Sequence, residues 1–129
     1  IEARFHSECT QTAKDGYTLI KGKEGTMALI PVIAGDFSFR PGRHAYQAIF
    51  KKSTFRWIPY NGTVVEARAK DTVLAHIILP VEDDTEAEAI VKSVKRNVDG
   101  NRTITLAFEK AGESYRYSFE KTGEGLVLK

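Results

Sequence analysis

Thr103-Ile104-Thr105-Leu106-Ala107-Phe108-Glu109-Lys110-Ala111-Gly112-Glu113-Ser114-Tyr115-Arg116-Tyr117-Ser118-Phe119 is the stretch that decides the class of fold. Ile104, Leu106 and Phe108 alternate with Thr103, Thr105 and Ala107. Beyond Ala111-Gly112, Tyr115, Tyr117 and Phe119 alternate with Ser114, Arg116 and Ser118. A period of two gives each strand one core face and one wet face, and Ala-Gly between the runs supplies a turn. Thr122-Gly123-Glu124-Gly125 turns the chain again into Leu126 to Leu128, so the segment reads as an antiparallel meander.

Working back toward the N-terminus, the period changes. Ala87, Ile90, Val91, Val94 and Val98 recur at three- and four-residue spacing, the signature of one apolar face on a helix. This predicts a helix over about 85–97. Asp84 or Thr85 is the expected N-cap, with Thr85 and Glu88 in capping-box spacing. Glu82, Asp83, Asp84, Glu86 and Glu88 stand at the end of the helix dipole that favours anions, Lys92, Lys95 and Arg96 at the opposite end, and Gly100 follows as a stop.

Before the helix, Thr72 to Leu79 is almost continuously apolar and is the expected central strand, covered on both faces and closed by Pro80. Residues 2–9 read as a first strand. Asp15-Gly16 and Gly22 to Gly25 are turn signals flanking Tyr17 to Lys21, and Thr26 to Ile33 is a strand that Pro31 marks as an edge or a bend. Pro41-Gly42 is expected to turn between two short strands. Asn61-Gly62, the strongest short-range hairpin signal in the chain, is expected to fold Phe55–Tyr60 onto 63–69. Together these give a mainly β chain, an antiparallel β-sandwich or barrel-like sheet of about 8–10 short strands with one amphipathic helix before the C-terminal meander.

Composition sets the outer bounds. The chain has 129 residues, 42% apolar and 28% charged, a length and balance expected of one domain, 1–129, and far from the profile of a disordered chain. No apolar run approaches the roughly 20 residues of a membrane-spanning helix. Ile1-Glu2-Ala3-Arg4-Phe5 has neither a methionine nor the charged-then-apolar layout of a signal peptide, as expected of a processed chain. Cys9 is the one cysteine, so no internal disulfide forms, and the small-hydrophobe reading of a buried thiol stands against a reactive one.

Catalytic motifs are missing from the sequence: no nucleophile elbow, Walker loop, zincin pair or dinucleotide-binding glycine fingerprint occurs. His6, His44 and His76 lie on different expected strands without metal-ligand spacing. No cofactor and no metal are therefore expected. The acidic cluster 82–88 reads as dipole compensation on a wet helix end, because acid–base work requires carboxyls in contrasting, partly buried settings. Asn61-Gly62-Thr63 and Asn101-Arg102-Thr103 match the N-glycosylation pattern, and turn chemistry also accounts for both.

The most unusual segment is 37–60. It holds seven of thirteen aromatics, Phe37, Phe39, Tyr46, Phe50, Phe55, Trp57 and Tyr60, with Arg40, Arg43, Lys51, Lys52 and Arg56 and no acidic residue. Such interleaving suits a recognition surface, and is equally what ordinary strands give when aromatics point inward and bases outward. The expected binding residues are Arg40, Arg43, His44, Arg56, Trp57 and Tyr60. A protein or glycan partner is preferred over nucleic acid, since the net charge is only +2 and no ribonucleoprotein signature is present. The stretch 37–46 is similar to the Pro-Gly hairpins of small β-sandwich modules in bacterial envelope and surface proteins, and the resemblance implies an extracytoplasmic (periplasmic, envelope or secreted) interaction module without catalytic residues. The expected function is thus non-enzymatic binding through 37–60. The alternatives are a lipocalin-like barrel holding a small apolar ligand, its mouth lined by Phe55, Trp57, Tyr115 and Tyr117, and a hydrolase whose site uses a histidine.

Overall fold

The computed structural model describes residues 2–32, 37–50, 54–67, 75–99, 103–123 and 125–129. Mainly β, with antiparallel sheets and one helix, it carries the expected class of fold. The strands number eleven among the described residues, more than expected, and two of them are long. The chain divides into two compact units, Ile1–Val81 and Glu82–Lys129.

The first unit has two sheets. In one, β1 (Glu2–Ser7) and β5 (Phe37–Phe50) flank β6 (Thr54–Ala67). In the other the order is β2 (Thr10–Ala13), β3 (Thr18–Lys21), β4 (Thr26–Val32), β7 (Ala75–Val81). The Asp15-Gly16 and Gly22–Gly25 turns form as expected, closed by Lys14 N donating to Tyr17 O and Gly22 N to Gly25 O, both at 2.9 Å.

Two turn expectations are overturned. Pro41-Gly42 and Asn61-Gly62 both lie inside 14-residue strands, facing each other as Pro41↔Thr63, Gly42↔Gly62 and Arg43↔Asn61. Asn-Gly makes a tight hairpin only when the residues flanking it pair with each other. Here β1 takes one edge of Asn61–Glu66 and β5 the other, so both rows of backbone groups find partners and Thr63 and Val65 become fully buried. With Pro41-Gly42 extended, the feature that carried the resemblance to envelope-module hairpins is gone. Asn61 is correspondingly no turn asparagine, and Asn101 lies outside the described residues.

The strand covered on both faces is β4. Ala28, Leu29, Ile30, Pro31 and Val32 are all buried, whereas in β7 buried Ile77, Leu79 and Val81 alternate with exposed Ile78 and Pro80. β7 is the last strand of its sheet, so Pro80, paired with Met27, sits where a missing N–H is tolerated. Pro31 stands beyond the residues of β4 that β3 pairs, where β7 is the one strand alongside among the described residues.

Contacts between the two sheets join polar and aromatic groups. Fully buried Thr63 of β6 donates to Gln11 Oε1 of β2 at 2.5 Å and lies 3.3 Å from the Thr18 hydroxyl of β3. Gln11 Nε2 donates to Ser7 Oγ at 3.0 Å. At a second point the Phe5 and His76 rings meet edge-on, centroids 4.7 Å apart.

In the second unit, α1 (Asp84–Ser93) precedes a meander of β8 (Lys95–Asp99), β9 (Thr103–Lys110), β10 (Glu113–Thr122) and β11 (Gly125–Leu128), ordered β11-β10-β9-β8. The N-cap is Asp83, one residue before the expected pair: its carboxylate accepts from Glu86 N at 2.9 Å, while Glu86 Oε2 accepts from Glu82 N at 2.6 Å. The helix stops at Ser93 because Val94 turns extended, and 95–99 pair with β9 instead of completing a last turn. Val98, expected on the helical stripe, is an exposed strand residue opposite Ile104. Ala87 and Ile90 bury on the side of α1 that packs on β9, and Ser93 Oγ, accepting from Glu109 N at 2.8 Å, ties the helix end to the sheet. The β9 alternation reads as expected, whereas in β10 it holds only in part: Tyr115 and Phe119 are half-buried, but so is Ser118, and Tyr117 is exposed. Ile104, Leu106 and Phe108 are buried, and Phe108 stacks on Tyr115 at 5.1 Å.

Ala111 and Gly112 both take positive φ, 52° and 79°, the requirement of a type I′ turn, and alanine is the residue out of place there. Ala111→Asn is expected to stabilise the protein by about 0.5–1 kcal/mol, with Gly112→Ala lowering stability by a similar amount; thermal unfolding of both variants checks the opposite signs. Thr63→Val keeps the shape but strips Gln11 of its donor inside the sheet junction, an expected loss of roughly 1–3 kcal/mol in denaturant titration.

Candidate functional site

The candidate site is the outer half of the β5–β6 hairpin. β1 pairs with Asn61–Glu66 and ends at Ser7. From His44↔Tyr60 to Phe50↔Thr54, seven ladder pairs continue with β5 and β6 alone in their sheet among the described residues. At about 3.3 Å per residue the ribbon runs on for roughly 20 Å. A two-stranded ribbon is marginal in water by itself. Its register sets His44 opposite Tyr60, Tyr46 opposite Ile58 and Ala48 opposite Arg56 at one set of alternating positions, and Gln47 opposite Trp57 and Ile49 opposite Phe55 at the other. Both sets therefore carry aromatic and aliphatic residues.

Of the expected binding residues, Arg40 is exposed at the base of the hairpin, 3.6 Å from Glu66; so open an ion pair contributes on the order of 0.2–1 kcal/mol. Arg43, His44, Arg56, Trp57 and Tyr60 have their backbone in the ladder, while their side chains lie outside the described residues. The register brings Arg43, His44 and Tyr60 to neighbouring rungs and sets Arg56 and Trp57 three to four rungs nearer the tip. Nothing in local sequence pointed to this layout, because it follows from pairing with β1, more than fifty residues away.

Elsewhere in the first unit a cavity of about 420 Å³ opens beside the β3–β4 turn, lined by Cys9, Ile20, Met27 and Pro80 with the Gly22–Thr26 segment. At Gly22 a Cβ would come 3.2 Å from Cys9 Sγ, so a larger residue there would have to push the thiol aside. Half-buried Cys9 is free. None of Phe55, Trp57, Tyr115 and Tyr117 lines this cavity. Met27 and Ile78 are among the exposed large apolar residues; Ile78 lies in the strand expected to be covered on both faces.

Among the described residues the buried Nε2 of His76 has no hydrogen-bond partner, and loss of hydration lowers the pKa below the ordinary 6.5. Cys9 and His76 form no hydrogen bond with each other, and no cluster of three or more His, Cys, Asp or Glu side chains occurs among the described residues. In the second unit Arg96, opposite Leu106, has buried Nε and Nη1 atoms without partners. The Glu113 carboxylate accepts from the Tyr115 hydroxyl at 2.8 Å and holds that phenol above its usual range. No helix among the described residues is long and apolar enough to cross a membrane.

No protein-family model, curated protein or solved structure matches the chain. The geometry of the hairpin therefore carries the functional argument by itself.

His76 also makes the first unit acid-sensitive. Its folded pKa is depressed, so the unfolded chain takes up the proton first; the stabilisation is complete above about pH 6.5 and is lost as pH falls toward the folded value. Urea midpoints at pH 7.5 and 5.5 are expected to differ less in His76→Phe than in the parent protein, and an identical pH response in the two would refute the assignment.

Proposed function

We propose that this protein is a non-enzymatic binding module that engages a partner protein through the outer half of the β5–β6 hairpin. One observation carries the reading: seven ladder pairs continue past the end of the pairing with β1, and they bear aromatic and aliphatic residues at both sets of alternating positions. A ribbon of that composition gains most when a second surface takes it out of water. Trp57 and Tyr60 are the anchors, because large rigid aromatics supply contact area at low entropic cost. Arg43 and Arg56 select the partner, as bases are strongest in steering and in rejecting surfaces of like charge.

Site-specific photocrosslinking in extract of the source organism tests this. A photoreactive residue at Gln47 or Ala48 is expected to trap a discrete partner, and the same group at exposed Lys23 is not. Excess unlabelled protein is expected to compete for the adduct, while Trp57→Ala/Tyr60→Ala competes at least about thirtyfold less well, the effect of a lost hot spot of roughly 2 kcal/mol. Equal adducts from Lys23, or equal competition by the double variant, would reject the hairpin as the contact.

A further inference from the structure

Resting on the hairpin as the contact surface, we infer that the open edge of β6 over Thr54–Tyr60 accepts an extended, acidic segment of the partner as an added antiparallel strand. The edge is defined by the backbone. Along Asn61–Glu66, β6 bonds β5 on one side and β1 on the other; along Thr54–Tyr60 the β5 side continues and the β1 side has no strand among the described residues. Every second residue of that stretch thus turns its backbone groups to the side on which no described strand pairs, in line with β1 and already held at the right twist and spacing by the paired half of the same strand. An incoming strand therefore extends an existing sheet and does not have to nucleate one, which is the basis of recognition by strand addition. Seven residues of edge span about 23 Å, enough for a segment of comparable length.

Charge selects the occupant. Between Phe37 and Val65 the sequence has Arg40, Arg43, Lys51, Lys52 and Arg56 and no acidic residue. A segment with acidic residues at alternate positions meets this field favourably, and a basic one is repelled. Pro59 limits the ladder to the remaining positions, since it has no N–H to donate.

The chain's single tryptophan, Trp57, lies within the edge and reports binding. The probe is a capped eight-residue peptide alternating valine and glutamate, compared with the same peptide N-methylated at alternate amides and with a valine–lysine counterpart. The valine–glutamate peptide is expected to shift Trp57 emission to saturation and to slow amide exchange across 54–60. The N-methylated form is expected to bind at least about tenfold more weakly, because several ladder bonds are blocked, and the lysine peptide not to saturate. Equal binding by the N-methylated form, unchanged exchange across 54–60, no binding of the glutamate peptide, or equal binding of the lysine peptide would each overturn strand addition. Crosslinking from Gln47 that persists in any of these cases would keep the hairpin as the contact and discard only this mode; loss of crosslinking with strand addition intact would show the reverse.

Discussion

The hydroxyl of Thr63, buried at the junction of two sheets and donating to Gln11 Oε1, fixes where the middle of β6 must lie. Gln11 completes the arrangement by donating to Ser7 at the end of β1, and Thr18 stands within hydrogen-bonding reach of Thr63 from β3. A buried polar cluster tolerates little displacement, because each unmade bond leaves a desolvated group without its partner. Holding Thr63 there sets Asn61–Glu66 between β1 and β5. One consequence follows from the lengths alone: β1 has six residues and the arms of the hairpin fourteen each, so the hairpin continues past its pairing with β1.

What the sequence makes readable depends on how far a residue's partners lie along the chain. The β9–β10 meander could be read because alternation and turn are adjacent; Tyr115 faces Phe108 only seven positions away. The start of α1 was readable to within one residue. Its end was not, because Val94 and Val98 suit a helical stripe and a strand equally, and pairing with β9 decides between them. The two strongest turn signals in the first unit failed together and for one reason. Gly42 and Gly62 face each other in a ladder whose third member, β1, is some fifty residues away, and no local propensity contains that partner. β4 and β7 show the same effect on burial: Thr72–Leu79 read as the strand covered on both faces and Thr26–Ile33 as an edge or bend, and position within the sheet reverses the two.

For the candidate site the sequence conveyed composition and missed shape. The density of aromatic and basic residues in 37–60 is visible by inspection, and led to the expectation of a face. The backbone arranges these residues instead as two arms of one ribbon, with Trp57 and Arg56 near the tip and Arg43, His44 and Tyr60 near the last supported rung. That difference changes the chemistry available. A face offers side chains alone, whereas a ribbon past its support also offers an edge of backbone donors and acceptors.

An open strand edge is a hazard as well as an opportunity, since it can pair with its own kind. The two edges of interest here manage this differently. β11 leaves Leu126, Val127 and Leu128 at 42, 54 and 61% exposure, with one ion pair, Lys129 to Glu120 at 2.8 Å, beside them. The outer edge of β6 carries Pro59 within the open stretch and belongs to a hairpin whose every ionisable side chain from Phe37 to Val65 is basic or histidine, tyrosine apart. Two copies approaching through this edge bring Arg56, the one base of Thr54–Tyr60, toward a like charge in the registers that set it near its counterpart. The same charges leave the edge open to a segment of opposite sign. On the reading proposed above, protection against self-association and selection of an acidic partner would share one origin, the absence of a carboxylate over twenty-nine consecutive residues.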